Sequence, residues 1–202
     1  MNILVFIKQV PNTTDVRIDP ATNTLIREGV ESVINPFDHY AIEEGVRLRE
    51  RFSGKVTVIS MGPPQAEKSL KEAISLGCDE AILLSDKQFA GSDTWATSYI
   101  LSRAVKKIED FDIIICGKQA SDGDTAQVGP GISAHLDIPQ ITYVKKIENI
   151  SENVAKMQRM TEEGWDIMET PLPCLITVVK EINTPRMPSL KGMMKAKSCK
   201  IT

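Results

Sequence analysis

The densest set of residues able to do chemistry lies between Asp112 and Pro130, where an apolar run gives way to small and polar residues. Ile113 to Cys116 is continuous and apolar, as expected of a parallel strand covered on both faces, and Gly117 ends it. Asp124, followed three residues later by Gln127, has the form of a helix N-cap with its capping-box partner. A strand edge that opens onto a helix N-terminus offers unpaired backbone N–H groups and the positive end of the helix dipole, and together these seat an anion. Nucleotide phosphates are the usual occupants, although strand, loop and helix alone make a generic arrangement. Lys118 can offset phosphate charge or simply be solvated, and Asp122 can accept from a ribose hydroxyl or close the loop. Pro130 is out of place inside a helix that starts at Asp124, so either the first turn is irregular or the helix starts later.

Other chemistries find no support in the spacing. His39 and His135 are isolated, with no Cys or Glu set nearby for a metal. Ser121 lies in no nucleophile-elbow context. Cys78, Cys116, Cys174 and Cys199 form no Cys-x-x-Cys pair and are read as reduced, mostly packing residues. Trp95 and Trp165 are likewise read as packing residues. The 202 residues carry 24 Lys and Arg against 27 Asp and Glu, a net charge of −3 that disfavours a nucleic-acid binder. No run approaches the roughly 20 apolar residues needed to cross a bilayer, and Met1 leads into a strand without a signal-peptide pattern. The expectation is a cytoplasmic protein with no membrane insertion.

The elements that must position the loop follow from alternating apolar runs and helical spacing. Asn2 to Ile7 reads as a first central strand, stopped by Pro11. From Asn12 to Ser32 the chain is polar; Arg17 to Asp19 and Thr24 to Ile26 are candidate short strands of a surface hairpin, with Asp19-Pro20 and Gly29 as turn signals. Asn35-Pro36 opens a helix carrying Ala41, Ile42, Gly45, Val46, Leu48 and Phe52, with Asn35 as its cap. A strand over Val56 to Ile59 leads to a helix begun by Pro63-Pro64 and ended before Gly77, then a strand over Ala81 to Leu84. Asp93 caps a further helix whose buried face is expected to hold Ala96, Tyr99, Ile100, Ala104 and Ile108. Strand and helix in alternation imply an α/β fold with a parallel, doubly wound, Rossmann-like sheet, whose ligands bind beyond the carboxyl ends of the strands. Ile141 to Ile147, Val154 to Met160 and Trp165 to Glu169 read as an antiparallel extension, closed by a strand over Cys174 to Val179. Asn183 to Thr202 shows no core pattern, and no regular element is predicted there.

Several segments together carry a family likeness. They are Lys8-Gln9-Val10-Pro11, then Ile34-Asn35-Pro36-Phe37-Asp38 with Ala41 and Glu43-Glu44, then Gly117-Lys118-Gln119 with Asp122 to Gly129, and finally Pro185 to Lys197. In this order the chain resembles the beta, or small, subunit of electron transfer flavoproteins along its whole length.

The resemblance implies a sheet of the adenine-nucleotide alpha-hydrolase type, paired with a larger alpha subunit that holds a mobile FAD. In the ordinary family the beta subunit holds a structural AMP; in the electron-bifurcating branch it holds a second FAD that takes hydride from NADH. Asp122 to Pro130 looks like the bifurcating version, and the resemblance makes physical sense in that Gly123, Thr125, Ala126 and Gly129 are small enough to leave room for a second phosphate and a ribityl chain. The cofactor-binding residues implied are Lys8, Gln9, Val10, Asn35, Asp38, Met61, Gly117, Lys118, Gln119, Asp122, Gly123, Asp124, Thr125, Ala126, Gln127, Val128 and Gly129. Judged by type and spacing alone, Asp124 is an N-cap and Asn35 simply opens a helix. Residues 1–182 form the nucleotide-binding domain. Residues 183–202 form a docking loop in which Leu190, with Met193 and Met194, meets a flavin-dependent partner of the acyl-CoA dehydrogenase type. They also begin an arm expected to be truncated at Thr202. Ferredoxin is the candidate low-potential acceptor. Redox activity is expected only within a complex, and no side chain is assigned as a catalytic acid or base. Two other readings stand: a non-bifurcating subunit with structural AMP, and a stand-alone nucleotide sensor of the universal-stress-protein type.

Overall fold

Branched apolar residues in unbroken runs belong where helices cover both faces of a sheet. The computed structural model describes residues 1–12, 17–18, 25–26, 31–108, 110–151 and 153–202, and it places those runs at the centre of an eight-stranded sheet. Strand β1 (Asn2–Phe6) is followed by two short antiparallel pairs: β2 (Gln9–Pro11) with β5 (Ser32–Ile34), and β3 (Arg17–Ile18) with β4 (Leu25–Ile26). The surface hairpin is therefore present, while its turn signals at Asp19-Pro20 and Gly29 lie outside the described residues. The chain continues through α1 (Pro36–Phe52), β6 (Lys55–Met61), α2 (Glu67–Leu76), β7 (Glu80–Leu84), α3 (Thr94–Ile108), β8 (Ile113–Gly117) and α4 (Val128–Leu136). Strands β9 (Gln140–Ser151), β10 (Val154–Met160), β11 (Trp165–Pro171) and β12 (Cys174–Val178) complete the sheet, and α5 (Leu190–Ser198) follows it.

The spatial order is β11-β10-β9-β12-β8-β1-β6-β7. Strands β1, β6, β7, β8 and β12 run parallel, β9 joins β12 in parallel, and β10 and β11 add the expected antiparallel extension. From β1 the chain steps outward to β6 and β7, then returns to place β8 on the opposite side of β1. This reversal opens a crevice between the carboxyl ends of β1 and β8, where open α/β sheets take their ligands.

Alternate residues of the central strands feed two cores. Ile3, Val5, Val56 and Val58 pack with Ile42, Val46, Leu70 and Ile74 of α1 and α2. Leu4, Phe6, Ile59 and Ile114 pack with Leu101, Val105 and Ile132 of α3 and α4. Full burial of each such side chain stabilises by about 1.5–3 kcal/mol, well above the ~0–1 kcal/mol of an exposed ion pair, so the two layers fix the fold. Cys78, Cys116 and Cys174 are free, buried packing residues, and Cys199 is free and half-buried. Burial, helped by the neighbouring Asp79, pushes the Cys78 thiol up to about 12.

Three local expectations need correction. Pro63-Pro64 leads into a single 3-10 turn (Pro64–Ala66), and α2 proper starts at Glu67. The face α3 buries is Ser98, Leu101, Ser102 and Val105; Tyr99 is half exposed. Serine hydroxyls can face the core here because Ser98 and Ser102 return their hydrogen bonds to the Trp95 and Tyr99 carbonyls one turn back.

The third correction concerns the terminal segment, which is folded. Ser189 caps α5 by accepting from the Gly192 N–H at 3.0 Å. The Lys195 ammonium donates to the Cys78 carbonyl at 3.0 Å and to the Asp79 carboxylate at 3.3 Å. Thr202 exchanges backbone hydrogen bonds with Ala81 and Leu83 along the outer edge of β7. Upstream, the Arg186 guanidinium spans Glu43 (Nε to Oε2, 2.8 Å) and Glu50 (Nη1 to Oε1, 2.6 Å) on α1. Helix α5 lies so close to α2 that a side chain at Gly192 would run into the Ser75 carbonyl. A Gly192→Ala variant is therefore expected to lose about 1–3 kcal/mol of stability as α5 is pushed off α2. Urea denaturation followed by circular dichroism checks this, and an unchanged midpoint would contradict it.

Candidate functional site

The crevice at the strand-order reversal is a cleft of about 390 Å³, within the range of small-molecule sites. Its floor is the carboxyl end of β1 and β8, one wall is the loop from Lys118 to Gln127, and the first turns of α1 and α4 close two corners. The chain turns out of β1 at Lys8 and returns at Asn35, whose N–H bonds the Lys8 carbonyl at 2.8 Å. The excursion of β2 to β5 is thus pinched at its base, which brings α1 to the end of β1.

Asn35 occupies the N-cap position of α1, yet its side chain does not cap the helix. Its amide donates to Asp38 Oδ1 at 2.9 Å and to the Gln119 carbonyl at 2.8 Å, and its oxygen accepts from the Ser121 N–H at 3.0 Å. The residue is 1% exposed and both ends of the amide are committed to protein groups. Asn35 therefore holds the loop in place at the point where it lines the cleft.

Asp38 is buried in the first turn of α1, where the helix dipole favours a carboxylate. It accepts from the Lys8 N–H at 2.7 Å, from Asn35 and from the Gly117 backbone. Burial nevertheless dominates and pushes its pKa from 3.8 up to about 7, with those donors and the Lys8 charge pulling the other way. Gly117 is required by proximity, because a Cβ there would meet the Asp38 carboxylate and the Phe37 backbone.

The loop itself departs from the expected capping box. Asp124 and Ala126 both have left-handed backbones, φ 53° and 55°. The Asp124 carboxylate accepts from the Gln119 amide, and α4 begins only at Val128, with Gln127 at the cap position. The reason lies four residues on. In a helix begun at Asp124, Pro130 would sit where an intrahelical bond is needed. In one begun at Val128 it is the third residue, whose N–H would have had no partner inside the helix. The first such bond runs from the Gly131 N–H to the Gln127 carbonyl at 2.9 Å. Gly129 lets this turn rest on β12, since a Cβ would come to 2.8 Å from Thr177 Cγ2. The left-handed residues, each costing roughly 1–2 kcal/mol, turn the loop just ahead of α4, whose first residues Val128 and Gly129 line the cleft.

Charge at the mouth is closely matched. Lys8 Nζ lies 2.7 Å from Asp122 Oδ1, and the Lys118 ammonium sits over the Phe37 and Tyr143 rings at 5.7 and 5.5 Å. Of the residues expected at a cofactor, Lys8, Asn35, Asp38, Met61, Gly117, Lys118, Gln119, Gly123, Asp124, Thr125, Ala126, Gln127, Val128 and Gly129 line this one cleft. Gln9, Val10 and Asp122 do not. Gln9 turns to the Gln65 carbonyl and Ser69 on the α2 side, Val10 is buried in the β2–β5 pair, and Asp122 stands outside the lining at the mouth.

The opposite wall, Phe89, Gly91 to Thr94 and Thr97, carries no expected site residue. Asp93 accepts from the Ala96 N–H at 2.8 Å as a helix cap, and the Thr94 hydroxyl reaches that of Thr125 at 3.5 Å across the cleft. The signal available was positional: Gly91-Ser92-Asp93 follows the carboxyl end of β7, on the ligand-binding side of the sheet. His135 is packed edge-on against Trp95 and Tyr99, ring centroids 4.6 and 5.5 Å apart, away from the cleft lining. Trp95 is 71% exposed and Trp165 57%, so neither is a core packing residue.

A family model described as "Electron transfer flavoprotein domain" matches residues 22–202. The chain is 58% identical over 196 residues to electron transfer flavoprotein subunit beta of Thermoanaerobacterium thermosaccharolyticum, covering 97% of this chain and 75% of the relative. It is 50% identical over 196 residues to the protein of the same name from Clostridium acetobutylicum, with the same coverage. It is 48% identical over 203 residues to caffeyl-CoA reductase-Etf complex subunit CarD of Acetobacterium woodii, covering all of this chain and 77% of the relative.

The buried carboxyl predicts a pH dependence. With its folded pKa raised to about 7, Asp38 adds stability that is fully present below 3.8 and is lost as pH rises through about 7. An Asp38→Asn variant cannot ionise, though it loses an acceptor. The gap between its urea midpoint and that of the native sequence should therefore narrow from about pH 5 to about pH 8. A gap that does not change with pH would contradict the assignment.

Proposed function

The chain belongs to the electron transfer flavoprotein family as a beta subunit, and from that premise we propose that its cleft holds FAD in a bifurcating heterodimer. A beta subunit of this kind pairs with an alpha subunit. When bound, the flavin supplies hydride acceptance from NADH and passes on two electrons, one to the alpha-subunit FAD and a dehydrogenase beyond, the other to a low-potential acceptor such as ferredoxin.

The protein's own groups supply seating and charge. The N–H groups at the start of α4 and the Lys8 ammonium are suited to a pyrophosphate. Asn35 and Asp38 keep the loop and the end of β1 in register, which fixes where those donors point. Phe6, Met61 and Leu101 supply an apolar floor that excludes water. The observation that carries the choice of a dinucleotide is the open space at Gly123, which lines the cleft and has nothing within 4 Å of its Cβ position. AMP is the second reading, favoured by the cleft volume, which stands near the lower end of the ligand-site range.

Docking to the dehydrogenase is assigned to α5 and the residues before it. Met187, Leu190, Met193 and Met194 are exposed there at 85%, 78%, 42% and 72%. Methionine adapts its shape to a partner, and Leu190 is the anchor. The caffeyl-CoA reductase named in one relative's complex is a partner of the expected type. A cytoplasmic complex is part of the proposal, and among the described residues no helix is long and apolar enough to cross a membrane.

The test is to denature the purified alpha–beta complex and quantify what it releases. Two FAD per dimer, with bleaching of the flavin absorbance by NADH, is the expected result. One FAD and one AMP per dimer, without bleaching, would replace this reading with the structural-AMP one.

A further inference from the structure

The ion pair at the cleft mouth joins residues 114 apart in sequence, Lys8 at the end of β1 and Asp122 in the loop before α4. Lys8 lines the cleft and Asp122 does not. The side chains are 47% and 33% exposed, so each can turn without disturbing the core. Two lysines are found among the described lining residues, and the other, Lys118, rests over aromatic rings.

The remaining acids are engaged elsewhere. Asp38 lies beneath Lys8 and accepts its backbone N–H, Asp93 accepts from Ala96, and Asp124 accepts from Gln119. Asp122 is left as the carboxylate that neutralises the cation best placed to meet a phosphate. A phosphate that takes the ammonium brings a second negative charge beside Asp122, so the two anions compete for Lys8.

We propose that Asp122 is a specificity-determining residue: a built-in counter-anion that holds Lys8 and yields it to the phosphate of an adenine nucleotide. The exchange keeps the mouth neutral towards uncharged nucleosides and sets the affinity for phosphate-bearing ones. Asn35 holds Gln119 and Ser121 throughout, so the exchange needs only rotation of the two side chains. The inference rests on reading the cleft as a nucleotide site.

The experiment uses the alpha–beta complex freed of its nucleotide and titrated calorimetrically with adenosine, AMP and ADP. Asp122→Asn should tighten AMP and ADP about fivefold, the scale of an exposed ion pair, and leave adenosine unchanged. In a Lys8→Met background the same substitution should lose its effect on AMP, as a double-mutant cycle requires when the two residues act through each other. Asp122→Ser serves if the asparagine variant does not assemble. Weaker AMP binding by the variant would make Asp122 a ligand contact or a strut and overturn the proposal. An equal gain for adenosine would overturn it too, by showing that loop opening alone is responsible. If the native complex binds none of the three, the nucleotide reading itself fails, and this inference with it.

Discussion

The cleft depends on one buried junction, in which Asn35 and Asp38 at the start of α1 bind the ends of β1 and β8 and the loop between β8 and α4. The two side chains meet each other at 2.9 Å, and between them they engage Lys8, Gly117, Gln119 and Ser121. A parallel sheet supplies strand ends but no ladder bonds beyond them, so the groups that emerge there must find partners elsewhere. Here one amide and one carboxyl serve that need for two segments distant in sequence, Lys8 and the stretch from Gly117 to Ser121. Gly117 must stay without a side chain for the same reason: the carboxyl occupies the space a Cβ would take.

The same helix carries the junction's influence away from the cleft. The inner side of α1 continues with Glu43 and Glu44, both buried, towards Glu50 near its end. Burial alone would raise the Glu43 carboxyl, but donation from Arg186 and Arg47 outweighs it and holds the group below its usual range. Burial does raise Glu44, against the donor offered by Asn183. Both glutamates thus fasten residues 183–186, which lead directly into α5. Helix α1 therefore has the proposed cofactor at its first turn and the base of the proposed docking segment along its length. The exposed methionines and Leu190 project from a helix held by Arg186 before it and by Lys195 within it.

Much of this was legible in the sequence, for reasons that differ by element. The parallel core could be read because strands buried on both faces must be apolar without alternation, as Ile113 to Cys116 are. The strand, loop and helix that wall the cleft could be read because Gly117 ends the apolar run and helix-start residues follow it. The loop's internal geometry could not. Aspartate at 124 suits both an N-cap and a left-handed turn, and alanine at 126 gives no local sign of a positive φ. Pro130 was the one clue that the helix starts later. Helix α5 escaped because Ala196 is its buried residue and Gly192 its point of closest approach, so no apolar stripe marks it. The wall at Phe89, Gly91 to Thr94 and Thr97 escaped because turn and cap residues look alike whether or not a ligand passes them.

The central claim is that the Asn35–Asp38 junction holds the loop as the wall of a nucleotide cleft. The most direct measurement is the nucleotide retained per alpha–beta dimer after gel filtration when Asn35 is replaced by leucine, a side chain of similar size without hydrogen bonds. The account predicts loss of most of the bound nucleotide from a dimer that still assembles. Retention at the native stoichiometry would contradict it.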